Sequence, residues 1–183
     1  MIQLLPTALP DVVVLEPDVF RDARGFFLEA WHEEKFRDVG LAVRFVQDNH
    51  SHSVRHTLRG LHYQLVRPQG KLVRVTSGTV FDVAVDLRRD APTFGRWVGV
   101  TLSEENHRMV WIPPGFAHGF LVLSQYADLL YKCSEPYLAE HDRAIRWNDP
   151  ALGIEWPLAA ETEPLLSPRD ASAPLLAEVV ALP

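Results

Sequence analysis

Short segments rich in Val, Phe, Thr and Tyr recur along the chain from residue 41 onward, and residues typical of turns separate them. β-Branched and aromatic residues favour strands, whereas Pro, Gly, Asp and Ser favour turns. The segments are LAVRFVQ, LRGLHYQL, KLVRVTSG, TVFDVAVDL, RWVGVTL, GFLVLS and ADLLYKC. Helical patterns of about 10–15 residues do not alternate with them, so antiparallel pairing is expected rather than βαβ units. We therefore predict a mainly β protein, a jelly-roll barrel with a few short helices.

The two ends of the chain differ from this strand-rich middle. Residues 11–15 predict a strand, residues 21–25 a turn, and residues 31–39 a short helix that ends at Gly40. At a length of 183 residues, roughly 70% of the unfolded chain's surface can be buried. We therefore expect a single domain over residues 1–183, with a proline-containing C-terminal extension packed on the barrel.

Charge and composition exclude several classes of function. The net charge is −6, and Lys and Arg form no run beyond Arg88-Arg89, so no basic stripe can follow a nucleic-acid backbone. Cys133 is the single cysteine and cannot form an intrachain disulfide. The N-terminal MIQLLPTALP lacks the basic region of a signal peptide, and no apolar run approaches the ~20 residues that span a bilayer. We expect a cytoplasmic protein with no nucleic-acid or membrane partner.

Three polar side chains lie within the predicted strands, where apolar residues would be expected. Side chains alternate between the two faces of a strand, so His62 shares its face with Gly60, which would leave space above the sheet. Lys71 lies on an otherwise apolar face of its strand, and Tyr131 shares a face with Cys133. If these faces line the inside of a barrel, an imidazole, an ammonium and a phenol meet in a mostly apolar cavity.

That set of groups suits one kind of chemistry. A neutral imidazole can remove the weakly acidic proton next to a ketone if a cation stabilises the enolate oxygen in a low-dielectric site. A phenol on the other side can then return a proton to the opposite face of the carbon, which inverts the stereocentre. Periodicity does not decide whether the three faces meet, and each residue alone is also compatible with a structural role in its strand.

A metal site is a second interpretation of the histidines. His50 and His52 have the spacing that places two imidazoles on one face of a strand, and residues 113–118 match the PxGxxH pattern of the second cupin motif. A metal-binding cupin normally also has a carboxylate shortly after the first pair, but residues 55–57 are Arg, His and Thr. We therefore interpret His50 and His52 as surface or loop residues and predict no metal.

Several motifs in a defined order make the chain resemble the dTDP-4-dehydrorhamnose 3,5-epimerase family over residues 17–170. They are RGFFLE at 24–29, QDNHS at 47–51, LRGLHYQ at 58–64, QGKLVRV at 69–75, FDVAVDLR at 81–88, PTFGRW at 92–97, WIPPGFAHGF at 111–120, LLYKC at 129–133 and WNDPALGIEWP at 147–157. The resemblance implies a cupin-type jelly roll, a dTDP-sugar substrate, no cofactor, and a homodimer in which N-terminal residues reach into the partner's site. It also implies a place in the synthesis of dTDP-L-rhamnose for cell-surface polysaccharides such as lipopolysaccharide.

The resemblance implies catalytic roles that agree with the chemistry above. His62 would be the base that removes protons from C5 and then C3 of a 4-keto sugar, with Asp170 bonded to its other ring nitrogen. Lys71 would stabilise the O4 enolate, and Tyr131 would be the acid on the opposite face. Asp82 is a candidate for orienting Lys71, and a structural strand acid is the alternative.

Further residues match positions that the family uses to bind its substrate. A guanidinium presents a planar fork of donors to phosphate, so Arg59 and Arg24 are expected to bind the diphosphate. The other expected substrate contacts are Glu29, Gln47, Asn49, His118, Asp142 and Arg169. Strand alternation would point Arg59 away from His62, so we expect a bulge or strong twist between them.

Two alternatives within the same chemistry stay open. An epimerase that inverts only C3 or only C5, or a ketoisomerase, would share the fold and the base. The presence of both His62 and Tyr131 favours double inversion. The family usually reads TDYY after LLYKC, where this chain has SEPY at residues 134–137, and this difference concerns fine specificity.

Overall fold

Two antiparallel sheets pack face to face and form the body of the protein. The computed structural model describes residues 2–179 and Leu182, so the ends of the domain predicted over 1–183 lie outside the described residues. In spatial order the first sheet contains β1 (Ile2–Pro6), β2 (Val13–Pro17), β10 (Met109–Ile112), β7 (Lys71–Ser77), β12 (Tyr126–Cys133) and β5 (Gln47–Val54). The second contains β13 (Asp142–Ala144), β6 (Leu58–Gln64), β11 (Phe116–Val122), β8 (Thr79–Asp86) and β9 (Trp97–Ser103). A separate hairpin consists of β3 (Val19–Asp22) and β4 (Gly25–Leu28). This arrangement confirms the predicted mainly β barrel.

Apolar side chains from both sheets form a shared core between them. Val73 and Leu129 come from the first sheet, and Ala84, Phe116 and Phe120 come from the second. Alternate residues of each strand point into this layer, and the residues between them point outward. A polar inward residue in one of these strands therefore faces the interior of the barrel.

The outer face of the second sheet is covered by the chain that follows β13. Ile145, Leu152 and Leu182 pack together with Val83 and Val85. These contacts bury apolar surface that would otherwise face water, at about 25 cal/mol per Å² removed. The polypeptide after β13 thus forms an additional layer on this side of the barrel, and it carries the helix α2 described below.

Helices are short. The α-helices are α1 (Glu33–Asp38) and α2 (Pro168–Ala171), and 3-10 turns occur at Ala139–His141 and Leu176–Glu178. α1 lies within the predicted range 31–39, which confirms that helix, and His32 caps it by accepting a hydrogen bond from the Lys35 amide at 3.5 Å. In the part of the chain that the structure describes, no helix is long and apolar enough to cross a membrane.

The strand predicted over LAVRFVQ is wrong for most of its length. Residues 41–46 form no strand, and β5 begins at Gln47. Val43 and Phe45 are partly buried and alternate with exposed residues because they pack in the cluster around Trp111 on the outer side of the first sheet. The alternation therefore reports burial of every second side chain without backbone pairing.

Candidate functional site

A cavity of about 480 Å³ opens between the two sheets beside α2. Residues from both sheets and from the C-terminal segment line it, among them Arg59, His62, Lys71, His118, Tyr131 and Asp170. A smaller space of about 200 Å³ adjoins the same His62, Lys71 and Tyr131 and is also lined by Gln47, Asn49, Tyr137 and Asp142. The imidazole, the ammonium and the phenol singled out from the sequence thus lie around one cavity.

His62 is held by a carboxylate from the other end of the chain. Its Nε2 lies 2.6 Å from Oδ1 of Asp170, which belongs to α2. A carboxylate only accepts hydrogen bonds, so Nε2 donates and the neutral ring keeps its lone pair on Nδ1. The His62 side chain is 31% exposed and that of Asp170 is 3% exposed. An accessible ring nitrogen held in a fixed tautomer is what a general base requires.

Local structure explains why Asp170 stays ionised in this position. Ser167 caps α2, and the Asp170 amide donates to its Oγ at 3.1 Å. Burial alone would raise the pKa of Asp170, but hydrogen bonds from His62, Ser167 and the backbone of Gly60 outweigh it and hold that pKa below its ordinary value. Asp170 is therefore a carboxylate near neutral pH and can orient the imidazole.

Lys71 is the first residue of β7 and lies directly opposite Cys133 on β12. Burial lowers the pKa of its ammonium below the ordinary value, and the nearby acidic groups of Cys133, Asp142 and Asp82 oppose that shift. An ammonium that is partly buried at a cavity gains more from a new negative charge than it would in water. Lys71 can thus stabilise an oxyanion that forms in the cavity.

Tyr131 lies on β12, opposite Asn49 on one side and Val73 on the other. Burial raises the pKa of its phenol above the ordinary value, with smaller contributions from Cys133 and Asp142 and an opposing one from Arg59. The phenol therefore remains protonated across the physiological range. Tyr131 can donate a proton but is poorly suited to act as a base.

A second imidazole–carboxylate pair lies next to the first. His118 is directly opposite His62 in the register of β11 and β6, and its Nε2 donates to Oδ2 of Asp82 at 2.8 Å. The sequence paired Asp82 with Lys71; its hydrogen bond is to His118, and it acts on Lys71 only as a nearby charge. Asp82 on β8 and His118 on β11 are diagonal neighbours in the sheet. Their contact depends on the register of the two strands, which local sequence patterns do not predict.

Arg59 lines the same cavity as His62, although simple alternation separates them. The β6–β11 register shifts between His118 and Phe120, and this irregularity is the predicted bulge. Gly60 has φ +129°, and a Cβ there would lie 2.5 Å from the Cα of Gly119. The space at Gly60 is therefore used by the neighbouring strand, which corrects the expectation that it leaves room above the sheet.

One side of the site is connected by side-chain amides. Gln47 Nε2 donates to Asn49 Oδ1 at 3.0 Å, and Asn49 Nδ2 donates to the Cys133 sulfur at 3.5 Å. Gln47 Oε1 accepts from the Tyr137 amide at 2.8 Å. Gln47 and Asn49 were among the expected substrate contacts, and the structure brings both to the smaller space of the cavity.

Asp142 and Arg169 bind each other at the rim. Arg169 Nη1 lies 2.5 Å from Asp142 Oδ2, and the Tyr137 hydroxyl donates to the same oxygen at 2.9 Å. Burial would raise the pKa of Asp142, but these two donors and the charge of His62 hold that pKa below its ordinary value. The two residues expected to contact substrate therefore already satisfy one another.

Arg24 and Glu29 lie away from the cavity within this chain. Arg24, at the turn between β3 and β4, is 90% exposed and pairs with Asp22. Glu29 pairs with Lys35 at 2.9 Å. The hairpin also exposes Phe27, which is 68% accessible. Neither expected substrate contact reaches His62 in the single chain.

The paired histidines of the metal interpretation lie on the outer face of β5. His50 Nε2 and His52 Nδ1 lie 2.9 and 3.1 Å from Asp128 Oδ1, and their side chains are 60% and 59% exposed. They are surface residues of a strand, not a loop. Among residues 2–179 and Leu182, no group of three or more His, Cys, Asp or Glu side chains has an arrangement that could hold a metal ion.

Several lining residues escaped the sequence analysis. Ser51 and Phe120 face the larger cavity, and Tyr137 faces the smaller one. Ser51 lies two residues after Asn49 on β5 and so faces the same way. Strand alternation would have placed Ser51 in the cavity if residues 47–54 had been recognised as a strand. Tyr137 lies in an irregular segment, whose direction no periodicity predicts.

A model of the family described as dTDP-4-dehydrorhamnose 3,5-epimerase matches residues 6–178 of the chain. The dTDP-4-dehydrorhamnose 3,5-epimerase of Pseudomonas aeruginosa is 56% identical over 177 residues, which cover 96% of this chain and 97% of the relative. Both matches extend over nearly the whole length, so the similarity concerns the complete fold and not one shared motif.

Solved structures show the same likeness. The dTDP-6-deoxy-D-glucose-3,5-epimerase of Legionella pneumophila, in complex with dTDP-4-keto-L-rhamnose, is 49% identical, with a TM-score of 0.94 over 98% of this chain and 95% of that one. A 3′-monoepimerase from Streptomyces bikiniensis, in complex with dTDP-quinovose, is 38% identical, with a TM-score of 0.87 over 94% of this chain and 87% of that one.

Proposed function

The chain belongs to the dTDP-4-dehydrorhamnose 3,5-epimerase family, a family of isomerases, and we propose that it inverts both C3 and C5 of dTDP-4-dehydro-6-deoxy-D-glucose. The product is dTDP-4-dehydro-L-rhamnose. The observation that carries this function is the convergence of His62, Lys71 and Tyr131 on one cavity, with Asp170 bonded to His62 at 2.6 Å. The cavity also has the size of a small-molecule site.

Each inversion proceeds through an enolate. Nδ1 of His62 removes the proton on the carbon next to the C4 ketone, and the electron pair of that C–H bond moves into the carbonyl, leaving negative charge on O4. The Lys71 ammonium stabilises this charge. Tyr131 then returns a proton to the opposite face of the carbon; before the next cycle the proton on His62 passes to solvent and the Tyr131 phenolate takes up a proton from solvent. The sequence of steps occurs at C5 and at C3 and uses no cofactor or metal.

The nucleotide part of the substrate extends from the cavity toward its mouth. Arg59 binds the diphosphate, since its guanidinium lies on the same cavity as the base. Gln47, Asn49 and His118 contact the sugar or the base of the nucleotide. Arg24 and Glu29 serve the site of a partner subunit, because within their own chain they lie on an exposed hairpin with Phe27. We accordingly propose a single-domain homodimer whose sites are completed across the interface.

The proposed location is the cytoplasm, where dTDP sugars are made, and the proposed pathway is dTDP-L-rhamnose synthesis for cell-surface polysaccharide. A buried, unpaired Cys133 is compatible with a reducing compartment.

A monoepimerase on a related dTDP-4-keto-6-deoxysugar is the second candidate. Its support is the similarity to the Streptomyces bikiniensis 3′-monoepimerase at a TM-score of 0.87, since a shared fold leaves the number of inverted centres open. Both functions use the same base. They differ in whether the donor reaches one carbon or both after the first proton has left.

Deuterium exchange distinguishes these functions. The protein is incubated with dTDP-4-dehydro-6-deoxy-D-glucose in D₂O with EDTA present, and deuterium at C3 and C5 is followed by NMR. Deuterium at both carbons, with rhamnose-configured product after chemical reduction, is the expected result. Deuterium at one carbon supports the monoepimerase, and exchange at neither carbon in an intact protein contradicts both functions. Loss of activity with EDTA that added Zn²⁺ or Mn²⁺ restores would contradict the metal-free mechanism.

A further inference from the structure

The ion pair between Asp142 and Arg169 joins the two elements that carry the His62–Asp170 pair. Asp142 begins β13, which pairs with β6 so that Ala144 lies opposite His62. Arg169 lies in the four-residue helix α2, directly before Asp170. The 2.5 Å contact between them therefore ties the helix of the carboxylate to the strand next to the base. Asp170 itself adds the bond to His62 and a hydrogen bond from the Gly60 backbone, both on β6.

One carboxylate oxygen of Asp142 is already engaged. Its Oδ2 accepts from Arg169 and from the Tyr137 hydroxyl at 2.9 Å, and its side chain is 13% exposed. A ligand at Oδ2 would have to compete with a charge-assisted hydrogen bond that is already formed. A hydrogen bond from a ligand that replaced these contacts would add little net affinity, because Arg169 and Tyr137 would lose their hydrogen bonds to Asp142.

The same pair places two opposite charges near His62. Asp142 and His62 interact through charge, and Arg169 is the cation that offsets the Asp142 carboxylate. The other charged or titratable groups that line the cavity and its smaller space are Asp170 on α2, Lys71 on β7, His118 on β11, Tyr131 on β12, Arg59 and Tyr63 on β6, and Tyr137 in the segment after β12. Removal of Arg169 would leave the negative charge of Asp142 uncompensated near the imidazole, and removal of Asp142 would leave the positive charge of Arg169.

We propose that Asp142 and Arg169 are positioning residues that hold Asp170 against His62 and cancel each other's charge beside the base, and that they are not ligands of the sugar. This role deepens the proposed function and rests on it for the identity of His62 as the base. Both effects of the ion pair, the fixed position of α2 and the balanced charge around His62, exist in the free protein. They can therefore be measured without substrate.

Two single variants should act in opposite directions. Arg169→Gln leaves the Asp142 carboxylate facing His62, which favours the imidazolium, so the ring should titrate at higher pH. Asp142→Asn leaves the Arg169 cation, which disfavours the imidazolium, so the ring should titrate at lower pH. We expect shifts of roughly half a pH unit to one unit each way, as a partly solvent-screened unit charge produces. The double variant cancels the two charge effects, so a His62 titration that still differs from wild type measures the loss of the tie that holds Asp170 against His62.

The first measurement is an NMR titration of the histidine Hε1–Cε1 signals in the free protein, with the His62 signal assigned by its absence in His62→Asn. The matched control is Arg67→Gln, which breaks another arginine–carboxylate pair, with Glu135, away from α2. It should leave the His62 titration unchanged. The conservative double variant Asp142→Glu with Arg169→Lys should keep both the ion pair and the wild-type titration. Thermal unfolding checks that each variant is folded.

The second measurement is the pH dependence of kcat and KM for deuterium exchange. If the two residues are positioning residues, both single variants should lower kcat several-fold and change KM less than twofold. The acidic limb of the pH profile of kcat should move in opposite directions in the two variants. A rise in KM in both variants with no opposite shifts would overturn the proposal and make the pair substrate ligands. If wild-type protein exchanges neither carbon while the opposite NMR shifts persist, the proposed function fails and the positioning role stands.

Discussion

Two histidine–carboxylate pairs lie side by side in the barrel, and they have nearly the same bond and different surroundings. His62 and His118 are opposite each other in the β6–β11 register and donate through Nε2 at 2.6 and 2.8 Å. The His62 side chain is 31% exposed, whereas that of His118 is 7% exposed. Asp170 has donors besides the imidazole, but Oδ1 of Asp82 is buried with no hydrogen-bond partner among the described residues.

The difference shows that a bond between imidazole and carboxylate does not by itself make a base. Asp170 remains satisfied by Ser167 and the Gly60 backbone while His62 gains and loses a proton. Asp82 has His118 as its hydrogen-bond partner and would be left as an isolated buried acceptor if that ring moved. His62 is thus suited to proton transfer, and His118 to fixing Asp82 and presenting a constant polar group to the cavity.

Replacement of His62 should give the largest effect on catalysis and a small one on stability. His62→Asn removes the base while its neighbours remain in place, so exchange at both C3 and C5 should fall by roughly 10²–10⁴. Denaturant unfolding should show little change, since Asp170 keeps its other donors. The measurement is the exchange rate in D₂O at a saturating substrate concentration. A fully active His62→Asn protein would remove the proposed distinction between the two pairs.

Replacement of His118 should give the converse result. His118→Ala leaves the Asp82 carboxylate buried without a partner, and we expect a loss of about 3 kcal/mol or more in the free energy of unfolding, measured with urea. The double variant His118→Leu with Asp82→Leu should lose less, because no buried charge is left unpaired. Equal losses for the single and double variants would mean that packing alone, and not the buried carboxylate, is responsible.

The sequence located one of these pairs and missed the other for a physical reason. Strand alternation identified His62, Lys71 and Tyr131, because each lies in a segment with a clear period of two. Asp170 came only from the family resemblance, since it lies 108 residues from His62 in the chain and in no periodic element. The Asp82–His118 bond follows from the register of β8 against β11, which depends on long-range pairing that local pattern does not report.

Two further differences have the same origin. β5 is mostly polar because one face lines the cavity and the other meets solvent at the edge of the sheet, so it lacks the apolar signal of a strand. Arg24 matched a substrate-binding motif, but within the single chain it pairs with Asp22 on an exposed hairpin away from the cavity. Motif matching identified the residue type, and the position of its side chain depends on the tertiary structure, which the motif does not report.

The pH dependence of catalysis should test whether deprotonation of Lys71 causes the loss of activity at high pH. Burial lowers the pKa of Lys71 and raises that of Tyr131. The ammonium must be charged to stabilise the enolate, so activity should fall with rising pH below the ordinary lysine range, before Tyr131 ionises. Lys71→Arg keeps its charge at higher pH, and we expect the basic limb of kcat/KM to move upward although the maximal rate falls, because the guanidinium presents a planar fork in place of a compact ammonium. An unchanged basic limb in Lys71→Arg would assign that limb to Tyr131 or to the substrate and would mean that Lys71 stays charged across the profile.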